Sequence, residues 1–307
     1  MNAEAVEAVP DDIVQPFLID KSGIAGRLVR LGPAVADILG RHATNPPAVQ
    51  MLLAQSLALA SGLAAALKFN GIFTLQVKGD GPVPMLVVDV TTGGDVRGYA
   101  QIKGDIPPFE TIADRLVPAL LGEGYLAFTI DQGQDMERYQ GIVSLDGATL
   151  EDCVRHYFEQ SDQFASAIKL AAGQDEAGNW RATALMLHRL PQEGGINQTD
   201  TEVAEEDWTR ASILMRSASP AEMLDPALSA HALLYRLFHE DGVRVSDTKA
   251  MQRGCRCSRE RMLMVLSSLP ADDIAYLAEE TGKIDVTCEF CTETQRFDPA
   301  ELELGRA

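Results

Sequence analysis

The sequence predicts an α+β fold: an N-terminal antiparallel-sheet domain with packed helices, a helical linker, and a small C-terminal cysteine module. Three observations carry this. Several segments between Ile72 and Leu145 alternate or run apolar in strand-length stretches joined by turns. Ala48 to Leu67 is one uncharged, alanine-dominated stretch, too long for a strand and read as a helix. After Pro191 the composition shifts, and four of the five cysteines fall in two close pairs near the C-terminus. The expected boundaries are 13–191 for the α+β domain, 192–247 for the linker and 248–307 for the cysteine module.

The elements follow in order. Residues 1–12 are acidic and poor in apolar side chains, which predicts disorder. Ile13 to Leu31 holds short strands broken by Gly23, Gly26 and Gly32. Ala34 to His42 is a helix with Val35, Ile38 and Leu39 on one face. Pro46-Pro47 start the long buried helix, and Asn70-Gly71 ends it. Strands are predicted at Ile72–Lys78, Met85–Val90, Val96–Ile102, Gly124–Asp131 and Arg138–Leu145. Gly79-Asp80-Gly81-Pro82 is a turn, and Thr92-Gly93-Gly94-Asp95 is a hairpin signal. Short turns between sequential strands imply an antiparallel meander and exclude a doubly wound parallel sheet. Asp146-Gly147 and Thr149 open a helix to about Glu159, and Ile168–Ala172 and Trp180–Leu190 are two further strands.

Beyond the break at Gly194-Gly195, Asp200 to Asp207 carries five acids and little to anchor a core. Glu206–Arg216 and Ala221–Asp225 read as short amphipathic helices. Ala227–His239 is a stronger one, with Leu228, Ala232, Tyr235 and Phe238 near helical spacing, and Val243–Val245 is a short strand. In the last section Arg259–Ser268 and Asp272–Glu280 are helices, Gly282 is a stop, and Lys283–Thr287 is a strand. The core candidates there are Met262, Leu263, Val265, Leu266, Ile274, Leu277 and Phe290.

Composition narrows the function. The net charge is −19 over 307 residues. Binding nucleic acid needs Lys and Arg to neutralise phosphates, so this balance counts against it, and equally against an anionic membrane surface. Ala48–Leu67 is long enough to cross a bilayer, but its alanines, Gln50, Gln55, Ser56 and Ser61 give a weak transfer energy, so it reads as a core helix. Met1 to Pro10 lacks a basic segment followed by an apolar one, so no signal peptide is expected. In a reducing compartment, closely paired cysteines are metal-binding or redox-active.

The chemistry concentrates in Gly254-Cys255-Arg256-Cys257-Ser258-Arg259-Glu260-Arg261 and, thirty residues after Cys257, Cys288-Glu289-Phe290-Cys291. Two close pairs on either side of a medium loop match the spacing of a tetrahedral thiolate site for zinc. Four thiolates on a dication leave a local charge of about −2, which Arg253, Arg256, Arg259 and Arg261 can partly balance. Catalysis finds no support: four cysteines fill a tetrahedron, no HExxH or nucleophile-elbow motif is present, and His42, His156, His188, His231 and His239 are scattered. Cys153 reads as a small apolar residue on a helix face.

This chain closely resembles the 33-kDa heat-shock chaperones that oxidation switches on. The likeness rests on the CxC and CxxC pairs with their flanks, including Gly282-Lys283-Ile284-Asp285, and on upstream patches. These are Leu67-Lys68-Phe69, Gly79-Asp80-Gly81-Pro82, Glu137-Arg138-Tyr139-Gln140-Gly141 and Tyr235-Arg236-Leu237-Phe238-His239-Glu240. The resemblance implies an ATP-independent holdase, not an enzyme, acting in the cytoplasm on unfolding client proteins. It implies that reduced Cys255, Cys257, Cys288 and Cys291 hold one zinc ion in a small redox-switch module. On oxidation Cys255 would pair with Cys257 and Cys288 with Cys291, zinc would leave, the module would unfold, and a homodimer would form. A zinc-ribbon interaction module, active when reduced and zinc-loaded, is the alternative from another class.

Overall fold

The computed structural model of the chain describes residues 11–133, 139–161, 165–189, 198–279 and 281–304. The expected disorder of residues 1–10, the Gly194-Gly195 break, Glu280 and the Glu137-Arg138 part of one upstream patch lie outside the described residues. The chain divides into two compact units, Met1–Arg253 and Gly254–Ala307.

The first unit runs β1 (Ile13–Ile19), β2 (Ile24–Leu31), α1 (Pro33–Arg41), α2 (Pro47–Ala66), β3 (Ile72–Gly79), β4 (Met85–Thr91), β5 (Asp95–Gln101), β6 (Gly124–Asp131) and β7 (Tyr139–Ser144). It continues with α3 (Leu150–Ser161), β8 (Ser166–Gln174), β9 (Trp180–Arg189), α4 (Gln198–Ser217), α5 (Pro220–Leu224), α6 (Ala230–Phe238), β10 (Val243–Val245), β11 (Lys249–Ala250) and β12 (Gln252–Arg253). The second unit holds α7 (Arg259–Ser267), α8 (Ala271–Ala278), β13 (Ile284–Thr287), β14 (Thr294–Phe297) and α9 (Pro299–Leu304).

The α+β class holds, but the first unit has two sheets where one was expected. One sheet has the order β10-β1-β2-β9-β8, with β11 also on β1; the other is β12-β5-β4-β3-β6-β7. The predicted meander breaks at β6, which returns to pair antiparallel with β3 instead of β5. Period-two alternation assigns faces but names no partner, so this long-range pairing was not readable from turns alone. β12 lies parallel to β5 through Gln252 and Arg253.

α2 packs on strands of both sheets. That explains its sequence: with apolar neighbours on several sides, it is apolar nearly all round instead of striped. Leu52, Leu53, Leu57 and Leu59 are fully enclosed. Its buried hydroxyls are satisfied within the helix, Ser56 and Ser61 donating to the Leu52 and Leu57 carbonyls at 2.8 Å each. Gly62 admits the sulfur of Met186, which a Cβ would strike. α2 is long and apolar enough to cross a membrane, and 78% of that stretch is buried inside the fold.

The prediction of disorder through residue 12 fails at its end, because α1 needs a cap. The Asp12 carboxylate accepts from the Gly32 and Ala34 amides at 2.9 Å each, supplying acceptors to a helix start that has no side-chain cap of its own. Asp11 takes two hydrogen bonds from Arg181, at 2.6 and 2.7 Å, and lies 3.6 Å from buried Arg30.

Helices α4 to α6 cover the β1-β2-β9-β8 sheet and build a second core with it. Ala211, Met215, Met223, Leu233, Leu234 and Phe238 pack with Phe17, Ile19, Ile24, Leu28 and Leu187. The buried stripe of α6 is Ala230, Leu233, Leu234, Leu237 and Phe238; Ala232 and Tyr235, expected to face inward, are exposed. α4 also starts earlier than expected and takes in the acidic run, where carboxylates suit the helix N-terminal half. Arg189 anchors that run, bonding Glu205 at 2.7 Å and lying 5.6 Å over the Trp208 ring. Arg30 reaches across from the sheet and donates to the carbonyls of Leu228 and, at 2.7 Å, Asp225.

Phe238 is wholly enclosed and stacks on Phe17 with ring centroids 5.7 Å apart. Phe238→Ala is expected to cost about 3–5 kcal/mol. Both tryptophans, Trp180 and Trp208, lie in the first unit, so urea unfolding followed by tryptophan fluorescence checks this. A loss under about 1 kcal/mol would mean that α6 is not held by this contact.

Candidate metal centre

The second unit is small, and its apolar centre is thin: Met262, Leu266, Ile274, Ile284, Phe297 and Leu302. Two expected core residues, Val265 and Leu277, are exposed, and Tyr276 is 76% exposed. Phe297 is the hub that the sequence reading missed. It is fully buried, and Arg259 lies over its ring at 4.3 Å while bonding Glu301 at 2.7 Å and the Arg296 carbonyl at 2.9 Å. A single phenylalanine in a polar stretch has no periodicity to announce it.

Local backbone chemistry presents the four sulfurs. Ser258 caps α7 by accepting from the Arg261 amide, so Cys257 stands just before a helix N-terminus, where the dipole favours a thiolate. The second pair sits at the end of the β13–β14 hairpin. Cys288 donates its amide to the Glu293 carbonyl at 3.0 Å, and its own carbonyl accepts from Thr292 at 2.8 Å. Thr292 adopts φ 59°, the left-handed turn that doubles the chain back after Cys291.

The sulfurs converge. Cys255 Sγ lies 3.4 Å from Cys257 Sγ and 3.8 Å from Cys288 Sγ, and Cys257 Sγ lies 3.4 Å from Cys291 Sγ. All four are within 4.8 Å of one another, a group able to hold one metal ion. A tetrahedron with arms of about 2.3 Å has edges of about 3.8 Å, so the spacing fits such an ion. Among the described residues these four cysteines are the one such group of three or more candidate ligands, and no histidine joins it.

The neighbouring thiols do not share one electrostatic environment. Burial raises the Cys255 thiol, but hydrogen bonds from the Cys257 backbone and the neighbouring thiols outweigh it and bring it down to about 7. Burial first, then hydrogen bonds with Cys255 and Cys291, hold Cys257 well above the usual thiol range, and burial also raises Cys291. The arginine contribution is smaller than expected. Arg259 is engaged as above, Arg261 donates to the Arg256 carbonyl at 2.6 Å, and Arg253 pairs with Asp37 in the first unit.

The other candidates lie elsewhere. Cys153 is enclosed in α3, its thiol pushed up to about 11 by burial and by Asp152 and Asp146, which suits an unreactive packing residue. His231 bonds Gln15 at 3.0 Å, and His239 bonds the Tyr235 carbonyl at 3.1 Å. Burial and then the Arg27 guanidinium hold His188 down at about 4.

With this geometry in hand, the family is decided by sequence. The sequence model of the family described as "Hsp33 protein" matches residues 12–298. The chain belongs to the Hsp33 family. It is 38% identical over 298 residues to a protein named 33 kDa chaperonin from Caulobacter vibrioides, covering 95% of this chain and 96% of that protein. It is 35% identical over 297 residues to the 33 kDa chaperonin of Pseudomonas fluorescens, covering 96% and 93%. The crystal structure of the 33 kDa chaperonin (Hsp33 homologue) from Thermotoga maritima superposes with a TM-score of 0.79 at 22% identity, over 96% of this chain and 97% of that one, and supports the fold. An Hsp33 chain is a chaperone, not an enzyme, and its partners are unfolded client proteins.

Two outcomes are expected. Stripping metal from the full chain with a strong chelator should collapse the amide dispersion of residues 254–304 and spare that of 11–253, since metal binding in small modules supplies on the order of 10 kcal/mol; an unchanged spectrum would refute a metal-held fold. His188 sits far below its ordinary 6.5, so the unfolded chain takes up a proton that the folded chain refuses. Its contribution is present above pH 6.5 and is lost as pH falls towards 4. The urea midpoint of the first unit should therefore drop over that range, and less so in His188→Gln; equal drops in both would refute the assignment.

Proposed function

We propose that this protein is a redox-gated, ATP-independent holdase of the cytoplasm, inactive when reduced and zinc-bound and active when oxidised. The observation that carries this reading is the convergence of four sulfurs in a unit whose apolar centre is too small to order it alone. We assign Cys255, Cys257, Cys288 and Cys291 as zinc ligands, one ion per chain. Zinc, when bound, would supply the charge that keeps these sulfurs as thiolates and ties the two turns together.

Oxidation acts at the sulfurs. Cys255 and Cys257 join in one S–S bond, Cys288 and Cys291 in another. Each bond delivers two electrons to an oxidant such as hydrogen peroxide, which takes two protons from solvent and leaves as two waters. A sulfur in a disulfide no longer offers a thiolate, so the ligand set is lost. The core left behind cannot match a domain stability of about 5–15 kcal/mol, and the 248–307 module unfolds. Reduction restores the ligands, provided that oxidation stops at the disulfide.

In this reading the 192–247 segment is the linker that responds, and 13–191 is the chaperone core. Undocking of α4 to α6 would uncover the sheet face of Phe17, Ile19, Ile24, Leu28 and Leu187 for an unfolding client. The activated form would be a homodimer, and the −19 charge keeps nucleic acid and anionic membranes from competing for that face. Exposed Met264, Val265, Tyr276 and Leu277 favour a second reading, in which the intact zinc module docks a partner protein.

One assay separates the two. Light scattering from a heat-unfolding client is followed with reduced or peroxide-treated protein, while released zinc is read with a chromogenic chelator. The holdase reading predicts suppression by the oxidised sample alone, with about one zinc released per chain. Peptide mapping should recover the 255–257 and 288–291 disulfides. Suppression by the reduced, zinc-loaded sample, or zinc loss without any suppression, would overturn the reading.

A further inference from the structure

The first unit contains a pocket that the metal centre does not use. It has a volume of about 260 Å³ and an apolar wall that includes Leu63, Phe73, Phe128, Tyr157, Ile168 and Met186. Phe128 meets Tyr157 edge-on at 5.4 Å and stacks on Phe73 at 6.1 Å, so the three rings form one continuous aromatic wall. Arg27 and His188 stand at its polar side.

Arg27 breaks a rule that three other strand arginines keep. Arg30 and Arg181 face Asp11, and Arg97 bonds Asp89 at 2.7 Å. Arg27 donates only to the Ala65 carbonyl at 3.1 Å and to Nδ1 of His188 at 3.3 Å, and no carboxylate among the described residues pairs with it. His188 is neutral, and with Nδ1 accepting, its proton lies on Nε2. Burial lowers Arg27 and no acid counters that effect. A partly buried cation with no carboxylate partner among the described residues is costly, and an anion seated on it offsets that cost.

We propose that this pocket binds a small aromatic carboxylate, its ring against the Phe73, Phe128 and Tyr157 wall and its carboxylate on Arg27. The volume matches about nine waters at roughly 30 Å³ each, so a body of about nine to thirteen non-hydrogen atoms fits. Aromatic rings favour stacked and edge-on partners, which selects an arene over a flexible chain. The guanidinium fork takes a carboxylate through two parallel bonds, which selects an acid over its neutral counterpart. The inference is independent of the redox reading.

Calorimetric titration of the full chain with 2-naphthoate and with 2-naphthamide, a neutral ligand of the same shape, tests it. The acid is expected to bind saturably at one site with a Kd on the order of 10–100 μM, and the amide at least about tenfold more weakly. Arg27→Gln should bring the acid down to the level of the amide. Methyl signals of Leu63, Ile168 and Met186 should shift, and those of Met215 and Leu233 should not. No saturable binding at millimolar acid, equal affinity for acid and amide, unchanged affinity in Arg27→Gln, or shifts confined to other methyls would each overturn the proposal. If Arg27→Gln does not fold, the acid–amide comparison and the methyl shifts on the unaltered protein decide.

Discussion

Four sulfur atoms drawn around a common centre are the constraint on which, in the proposed reading, the second unit depends. Cys255 and Cys257 enter from the turn before α7 and Cys288 and Cys291 from the end of a hairpin, two pieces of chain that are otherwise joined by a small apolar cluster and by Arg259. Phe297, with Arg259 over its ring, gives the unit one well-packed point. Six buried apolar residues cannot offset the conformational entropy of ordering some fifty residues at about 1–2 kcal/mol each. In the proposed reading, bonds from a bound metal to these sulfurs make up the difference, and thiolate chemistry is open to oxidants. Structural support and chemical sensitivity would then reside in the same atoms.

The first unit is built on the opposite logic. α2 is packed against strands of two sheets, and its core draws on residues from most of the elements between β1 and β9. Among its described residues no group of three or more candidate metal ligands is found. Its second core is different in kind, because one side is a sheet face and the other is three separate helices, the long α4 and the shorter α5 and α6. Arg30 fastens the loop before α6 to the sheet, and Asp11 in turn holds Arg30 and Arg181. In the proposed reading this cover of separate helices leaves while the sheet beneath stays folded, so that apolar surface is exposed without loss of the framework.

The parts legible in the sequence were those set by local rules. The cysteine pairs announced their site because ligand spacing is a property of short turns. Strands β3, β4, β5 and β6 were found by length and alternation, and α2 by its uniform apolar character. What escaped depended on distant partners. The return of β6 to β3 and the separation into two sheets are invisible to period two. On α6, two faces one position apart both carry apolar residues, and only packing on Phe17 and Leu28 selects Leu233, Leu234 and Phe238 over Ala232 and Tyr235. Phe297 and Leu302 lie in a polar tail without periodicity, and Asp12 was set aside with an acidic terminus although a helix start needed its oxygens. That Arg27 has no carboxylate partner among the described residues could be recognised only once its surroundings were in place.

The central claim is that a metal tetrahedron, and not an apolar core, orders the second unit. Hydrogen exchange of residues 254–304, followed in one sample with zinc release as peroxide is titrated in, tests it most directly. The account predicts that amide protection there falls in step with the released metal while protection in α2 and β3 persists. Protection that outlasts the metal, or that vanishes before any metal leaves, would contradict it.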